Sequence, residues 1–476
     1  MGAMEMRPLL LLPEIILFLG GLIVLIGGSF LARDRQWVTR VVAAMALLAA
    51  ATVAAVSFAG PAEMAMEGTF TVDVTTGVAR IVAALGTIIV LALASDEIDG
   101  SPRESETYAL MLFATTGTLI LAGADDLLVV TVGFLLASIP LYGLIGIART
   151  PQAAEAAMKT YLMGALFGIL LLTGVTILYG VTATTSYPDL TDRLADAPAR
   201  AVAAGVVAVL AGLMFKAGGV PGHFWVPDAA QGAGGAVAAY LTTIPKIGAV
   251  IAAYRLVAIL PETFAWPLLV GLLALASMTL GNLAAYWQSD PRRLLGWSTV
   301  SQVGYLLVPV AVAGRSDLAL PSLLLYLAAY TVTNLSAFAL TTAFPDSRNL
   351  ESYRGMGRAN PWLGASLVVA LLGLVGTPPT IVFVGKLTTT AAAWDAGHAW
   401  LAVAVFVNTV ASLFYYLRWI APVYGHGHRD GSEDAEASHD PALTTARIFS
   451  ASAAVVTAAL SVGLGLGAGL LWRVIA

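Results

Sequence analysis

The 476-residue sequence has no cysteine, few charged residues (11%) and only four lysines. Each shortage excludes something. Without cysteine there are no disulfides, no thiolate chemistry and no cysteine-ligated iron–sulfur cluster, so any redox centre that the chain serves must sit in a partner. A soluble domain would carry about 25% charged residues. Here 58% of the residues are hydrophobic and the mean hydropathy is +0.84, the composition of a polytopic membrane protein. No basic stripe points to nucleic acid.

What the chain does have is a series of apolar runs. Each is roughly 20 residues long, enough to cross a ~30 Å hydrocarbon core. They are too long for barrel strands and lack period-two alternation, so they read as helices. Hydropathy predicts fourteen spans: 8–31, 38–59, 77–95, 107–123, 127–147, 156–180, 200–217, 233–260, 266–286, 293–314, 319–344, 362–391, 397–424 and 445–473. The first lacks a strongly basic leader and a clear cleavage site, and is read as a span. Linkers are mostly short, which predicts one integral-membrane domain over 1–476, an all-α bundle. A hydrophilic loop at 425–444 precedes the last helix.

The arginines orient the bundle. Loops leaving odd-numbered spans hold Arg33, Arg35, Arg40, Arg103, Arg149, Arg292, Arg293, Arg348, Arg354, Arg358 and Arg429. The opposite loops hold Arg193, Arg200 and Arg315. The positive-inside rule therefore predicts both termini on the outer side and 425–444 in the cytoplasm.

Two spans are interrupted. The seventh runs GLMFKAGGVPGHFW and the twelfth LLGLVGTPPTIVFVGK, with Pro221 and Pro378–Pro379 among glycines. Proline removes a backbone donor and clashes with the preceding turn, so both helices should break there. Two broken helices five spans apart, one in each half, mark repeat-built transporters.

The lysines are Lys159, Lys216, Lys246 and Lys386, and the last three lie deep in apolar runs. An ionised lysine at mid-membrane costs roughly 2.5–3.5 kcal/mol on insertion scales. Unlike arginine it can shed its proton, so a buried lysine can relay one. Loops use arginine and apolar segments use lysine. A GC-rich genome that swaps lysine for arginine wherever either serves explains the bias, and leaves these lysines where arginine would not do. Lys159 follows Glu155 by four residues and reads as a snorkelling surface lysine. His223, seven residues after Lys216, adds a group that titrates near neutrality.

The segment FKAGGVPGHFWVPDAAQGAGGAVAAYLTTIPKIG resembles the seventh and eighth helices of the antiporter-like subunits of respiratory complex I. LLVGLLALASMTLGNLAAYWQSDPRRLLGWSTVSQVGY, RGMGRANP, GTPPTIVFVGK and ASLFYYLR resemble the same family in the same order, across essentially the whole chain. The resemblance implies fourteen helices. Helices 4–8 (107–260) and 9–13 (266–424) would form two inverted repeats, with helices 7 and 12 broken. It implies proton translocation along a mid-membrane polar axis, as part of an NADH:quinone oxidoreductase in a bacterial plasma membrane. No cofactor is implied in this chain; NADH, FMN, iron–sulfur clusters and quinone belong to partner subunits, which include further antiporter-like chains. Lys216 would hold the proton of the inner half-channel, Lys246 with His223 would link the halves, and Lys386 would face the outer exit.

One position departs from the family. Its fifth helix carries a glutamate in a G-x-E-x-x-S-x-P context, where this chain has VGFLLASIP and Leu135. In the family that glutamate pairs with the lysine matching Lys216. A non-pumping structural member is thus one alternative; a cation/proton antiporter or membrane-bound hydrogenase subunit is another. Glu14 is read as the one carboxylate deep in an apolar run. GLGLGAG at 463–469 follows no strand and reads as helix packing rather than a nucleotide loop. Asp125 and Asp126 mark a helix start. His426, His428 and His439, among acids at 425–440, are read as a solvated loop rather than a metal site.

Overall fold

The computed structural model describes residues 6–58, 60–262, 264–425 and 446–476. His426, His428, His439 and all of the 425–444 loop but Gly425 lie outside them. Each predicted span coincides with a helix or a broken pair. The first six are α1 Leu12–Phe30, α2 Trp37–Ser57, α3 Val74–Ile98, α4 Glu104–Gly123, α5 Leu127–Gly146 and α6 Pro151–Thr182. A short α7, Tyr187–Arg193, leads to α8 Ala199–Ala217, α9 Trp225–Gly232 and α10 Gly235–Ala258. Then come α11 Trp266–Ala285, α12 Pro291–Ala311, α13 Ala319–Ala343, the one-turn α14 Met356–Ala359, α15 Pro361–Val375 and α16 Ile381–Asp395. The chain ends with α17 Ala399–Tyr424, α18 Ile448–Leu466 and α19 Ala468–Ile475. Twelve helical segments among the described residues are long and apolar enough to cross a membrane. The chain is a multi-pass, all-α membrane protein.

Both predicted breaks are present, and they are built alike. α8 stops at Gly218 (φ 82°) and α15 at Gly376 (φ 92°). Beyond α8, the Gly219 amide reaches back to the Met214 carbonyl at 2.9 Å; beyond α15, the Thr377 amide reaches Leu372 at 3.1 Å. This six-to-one closure around a left-handed glycine is the Schellman end, which satisfies some of the carbonyls that a terminated helix exposes. Of the glycines at 463–469, Gly465 packs one helix on another, while a Cβ on Gly463 or Gly469 would meet nothing within 4 Å. A Cβ on Gly465 would press on the backbone of Thr380 and Ile381, so that glycine lets α18 close onto the α15–α16 break.

α10 is the innermost element, its apolar window entirely buried. Its first amides, Gly235 and Ala236, donate to the Glu97 carboxylate of α3 at 2.7 and 2.9 Å, an acidic cap at the positive end of the helix dipole. Near its other end, Arg255 holds both Asp73 oxygens at 2.8 Å. Asp126 caps α5 by accepting from Leu128 and Val129, as its position implied.

Three features depart from the sequence reading. A two-stranded antiparallel hairpin, β1 Glu63–Ala65 with β2 Phe70–Val72, occupies the segment between the second and third spans. Strands of three residues are too short to show a period. Second, arginine is not confined to loops: Arg80 lies inside α3, 1% exposed. Its guanidinium grips Glu14 of α1 through two 2.8 Å bonds, so the deep carboxylate has a charged partner. A bidentate fork satisfies a buried carboxylate in a way that an ammonium does not. Third, a second buried carboxylate, Glu104, lies outside the predicted spans at the start of α4, beside the Tyr108 hydroxyl.

Candidate functional site

Lys246 stands about midway along α10, with no exposed surface. Its ammonium donates to the Ala217 carbonyl, the last of α8, at 2.8 Å and lies 5.8 Å from the Trp225 ring centre. Lys386 repeats this at the second break. It donates to Val375, the last carbonyl of α15, at 2.9 Å and to Leu374 at 3.2 Å, with its Nζ 3.8 Å from the Tyr305 ring centre. A helix end leaves unpaired carbonyls and a partial negative charge. At bilayer depth no water would satisfy them, so each ammonium and each broken helix stabilise one another. Glycine is required at both caps for room as well as for φ. A Cβ on Gly218 would stand 3.2 Å from the Lys246 ammonium, and one on Gly376 2.9 Å from Cδ of Lys386.

Lys216 precedes Ala217 and is 2% exposed. Its ammonium donates to Ser138 Oγ of α5 at 3.1 Å, and it lies within electrostatic range of Lys246. His223 is buried in the α8–α9 turn, packed on Phe224 and 5.8 Å from the Trp297 ring centre. The structure thus gathers Lys216, Lys246 and His223 around the first break and leaves Lys386 at the second. Lys159 is outside this group. Its side chain is 48% exposed and bridges Glu155 at 2.7 Å and Asp228 at 2.9 Å. Asp228 in turn meets Arg293 at 2.5 Å. Leu135 is 41% exposed and sits one helical turn before Ser138.

Between the two breaks runs a polar seam that the spacing of single residues does not announce. Asn334 of α13 donates to Thr243 of α10 at 2.9 Å, and the Tyr330 hydroxyl donates to the Thr242 carbonyl at 2.7 Å. The Tyr330 hydroxyl also lies 3.1 Å from the Thr299 hydroxyl of α12. One turn on, Gln302 donates to the Leu374 carbonyl at 2.9 Å and accepts from the Tyr326 hydroxyl. That Leu374 carbonyl is shared with Lys386. The seam therefore consists of two hydrogen-bonded groups one turn apart, one on the Lys246 helix and one on the Lys386 carbonyl cluster. The sequence reading missed it; the available signal was the i, i+4, i+8 spacing of Tyr326, Tyr330 and Asn334, which puts them on one face of α13.

Residues 124–412 match the family model described as NADH:quinone oxidoreductase/Mrp antiporter, TM. NADH-quinone oxidoreductase subunit N of Mycobacterium sp. (strain JLS) is 63% identical over 471 residues, covering 99% of this chain and 98% of the relative. A chain of respiratory complex I from Thermus thermophilus with bound aureothin superposes with a TM-score of 0.82 at 28% identity. That match covers 97% of this chain and 98% of the other. A chain of the Mrp complex from Dietzia sp. DQ12-45-1b shares the fold, with a TM-score of 0.83 at 23% identity over 98% of this chain and 95% of the other. This chain belongs to the NADH:quinone oxidoreductase/Mrp antiporter transmembrane family, among the NADH-quinone oxidoreductase subunit N proteins.

Proposed function

We propose that this chain translocates protons as a membrane-arm subunit of an NADH:quinone oxidoreductase, with every redox step in partner chains. The observation that carries the reading is the pair of matched breaks, each with a buried lysine on the final carbonyl of the stopped helix. A lysine that takes and gives up a proton there changes the charge on the helix end that it caps. Proton occupancy is thereby tied to the geometry of the break. Lys216 takes up a proton from the arginine-rich side, which is cytoplasmic by the positive-inside rule. Lys246 and His223 pass it between the halves, the polar seam carries it across, and Lys386 delivers it toward the outer side.

The five-helix units 107–260 and 266–424 act as two inverted repeats around this axis, each with one broken helix. NADH, FMN, iron–sulfur clusters and quinone belong to other subunits, since a chain without cysteine offers no thiolates for a cluster. The partners are further membrane subunits of the same complex, in a bacterial plasma membrane, with both termini outside.

A second reading is favoured by one observation: the carboxylate position of the fifth helix is Leu135. The chain would then be a spacer whose lysines only cap helices. Reconstituted complex decides between them. Lys246→Ala should reduce proton pumping per NADH more than Lys159→Ala at equal assembly. The reverse order would overturn the axis proposed above.

A further inference from the structure

We propose that Ser138 and Tyr142 of α5 form the proton entry to Lys216, filling the role left open by Leu135. This rests on the reading of Lys216 as a proton carrier.

The starting point is the orientation of one hydroxyl. Thr131, on the same helix, spends its hydroxyl on the carbonyl one turn back, at 3.0 Å to Leu127. Ser138 instead turns its oxygen to Lys216, 3.1 Å away, in a buried site. Tyr142 stands four residues on, on the same face of α5. It has room because α6 carries Gly164 opposite, where an added Cβ would collide with the phenolic oxygen. Tyr142 is only partly buried and lies four residues from Gly146, the α5 end that leads into the Arg149 loop. Tyr161, edge-on to Tyr142 at 5.8 Å between ring centres, is exposed. Ser138 and Tyr142 therefore step from a buried ammonium toward the end of α5 that leads into the Arg149 loop.

A hydroxyl is both donor and acceptor, so the chain can move a proton without holding a charge at rest. When Lys216 is neutral, its nitrogen accepts the Ser138 proton and an N–H bond forms. Ser138 regains a proton from Tyr142, and Tyr142 regains one from a hydronium ion at the rim, which is left as water. One proton enters, and each O–H bond that breaks is remade. A carboxylate at 135 would hold the lysine charged; the hydroxyl pair fills and empties it without that electrostatic trap.

The test uses the assembled complex in proteoliposomes, reading the initial rate of proton translocation per NADH oxidised. Ser138→Ala and Tyr142→Phe should each slow it roughly two- to tenfold, the size set by one hydrogen bond. Ser138→Thr, which keeps the hydroxyl, should restore the rate. Neither loss should slow Lys216→Ala further. Gly164→Ala, which keeps every hydroxyl but displaces that of Tyr142, should mimic Tyr142→Phe and covers a Ser138→Ala variant that fails to assemble. Wild-type rates in the hydroxyl variants, with Lys216→Ala impaired, would overturn the entry and spare the carrier. Additive losses in the Lys216→Ala background would overturn it as mere packing. Full pumping by Lys216→Ala would overturn carrier and entry together.

Discussion

Lys246 of α10 donates to the Ala217 carbonyl of α8 at 2.8 Å, joining the middle of one buried helix to the broken end of another. Lys386 and Val375 repeat the relationship at 2.9 Å in the second half. In the proposed function each ammonium both caps a helix and carries a proton, and substitutions can separate the two.

The Gly376 cap tests the structural job. Alanine in its left-handed conformation costs about 1–2 kcal/mol from the backbone alone. A methyl there would also stand 2.9 Å from the Lys386 chain. Gly397 has a similar φ of 79°, and a Cβ added to it would meet nothing within 4 Å, so Gly397→Ala carries only the backbone cost. Gly376→Ala should therefore lower the melting temperature of the purified complex more than Gly397→Ala. Equal shifts would show that Lys386 is not held against that turn.

The buried Arg80–Glu14 pair should be costly to break and cheap to replace. Removing one partner leaves the other charge unpaired, at about 3–5 kcal/mol, whereas exchanging both for apolar residues is often near neutral. Glu14→Leu alone should strongly reduce the yield of assembled complex, and Glu14→Leu with Arg80→Met should recover most of it. A double variant no better than the single one would mean that the pair does more than join α1 to α3.

Position 135 tests the missing carboxylate. Leu135 lies one turn from the serine that holds Lys216, so a glutamate there has a path to the ammonium, and an opposite charge within ~4–6 Å favours the charged form. Lys216→Ala should slow translocation in the natural background and slow it further after Leu135→Glu. A double-mutant cycle on proton translocation measures the coupling. Additive effects would mean that position 135 does not communicate with Lys216.

Much of the fold and of the lysine site is legible in the sequence because the informative residues are rare. Four lysines in a chain that otherwise uses arginine stand out, and glycine–proline clusters locate both breaks to within a turn. Lys159 declares itself through Glu155, although its second partner, Asp228, arrives from 69 residues away. What stays hidden depends on helix pairing. Tyr326, Tyr330, Thr299 and Gln302 look like ordinary content of apolar helices until α10, α12 and α13 are placed side by side. Arg80 hides within a run whose hydropathy it barely lowers. Its partner is 66 residues distant, and no local pattern announces a bidentate pair between α1 and α3.

The most direct test of the central claim is Lys246→Arg. Arginine keeps a positive donor for the Ala217 carbonyl but does not release its proton under working conditions. If Lys246 only caps the broken helix, this variant pumps as the natural complex does. If it carries the proton, the variant assembles and loses translocation. Proton uptake per NADH oxidised in proteoliposomes, at matched complex content, is the measurement. Lys246→Arg should pump as poorly as Lys246→Ala; natural stoichiometry in Lys246→Arg would mean that this lysine only caps the helix.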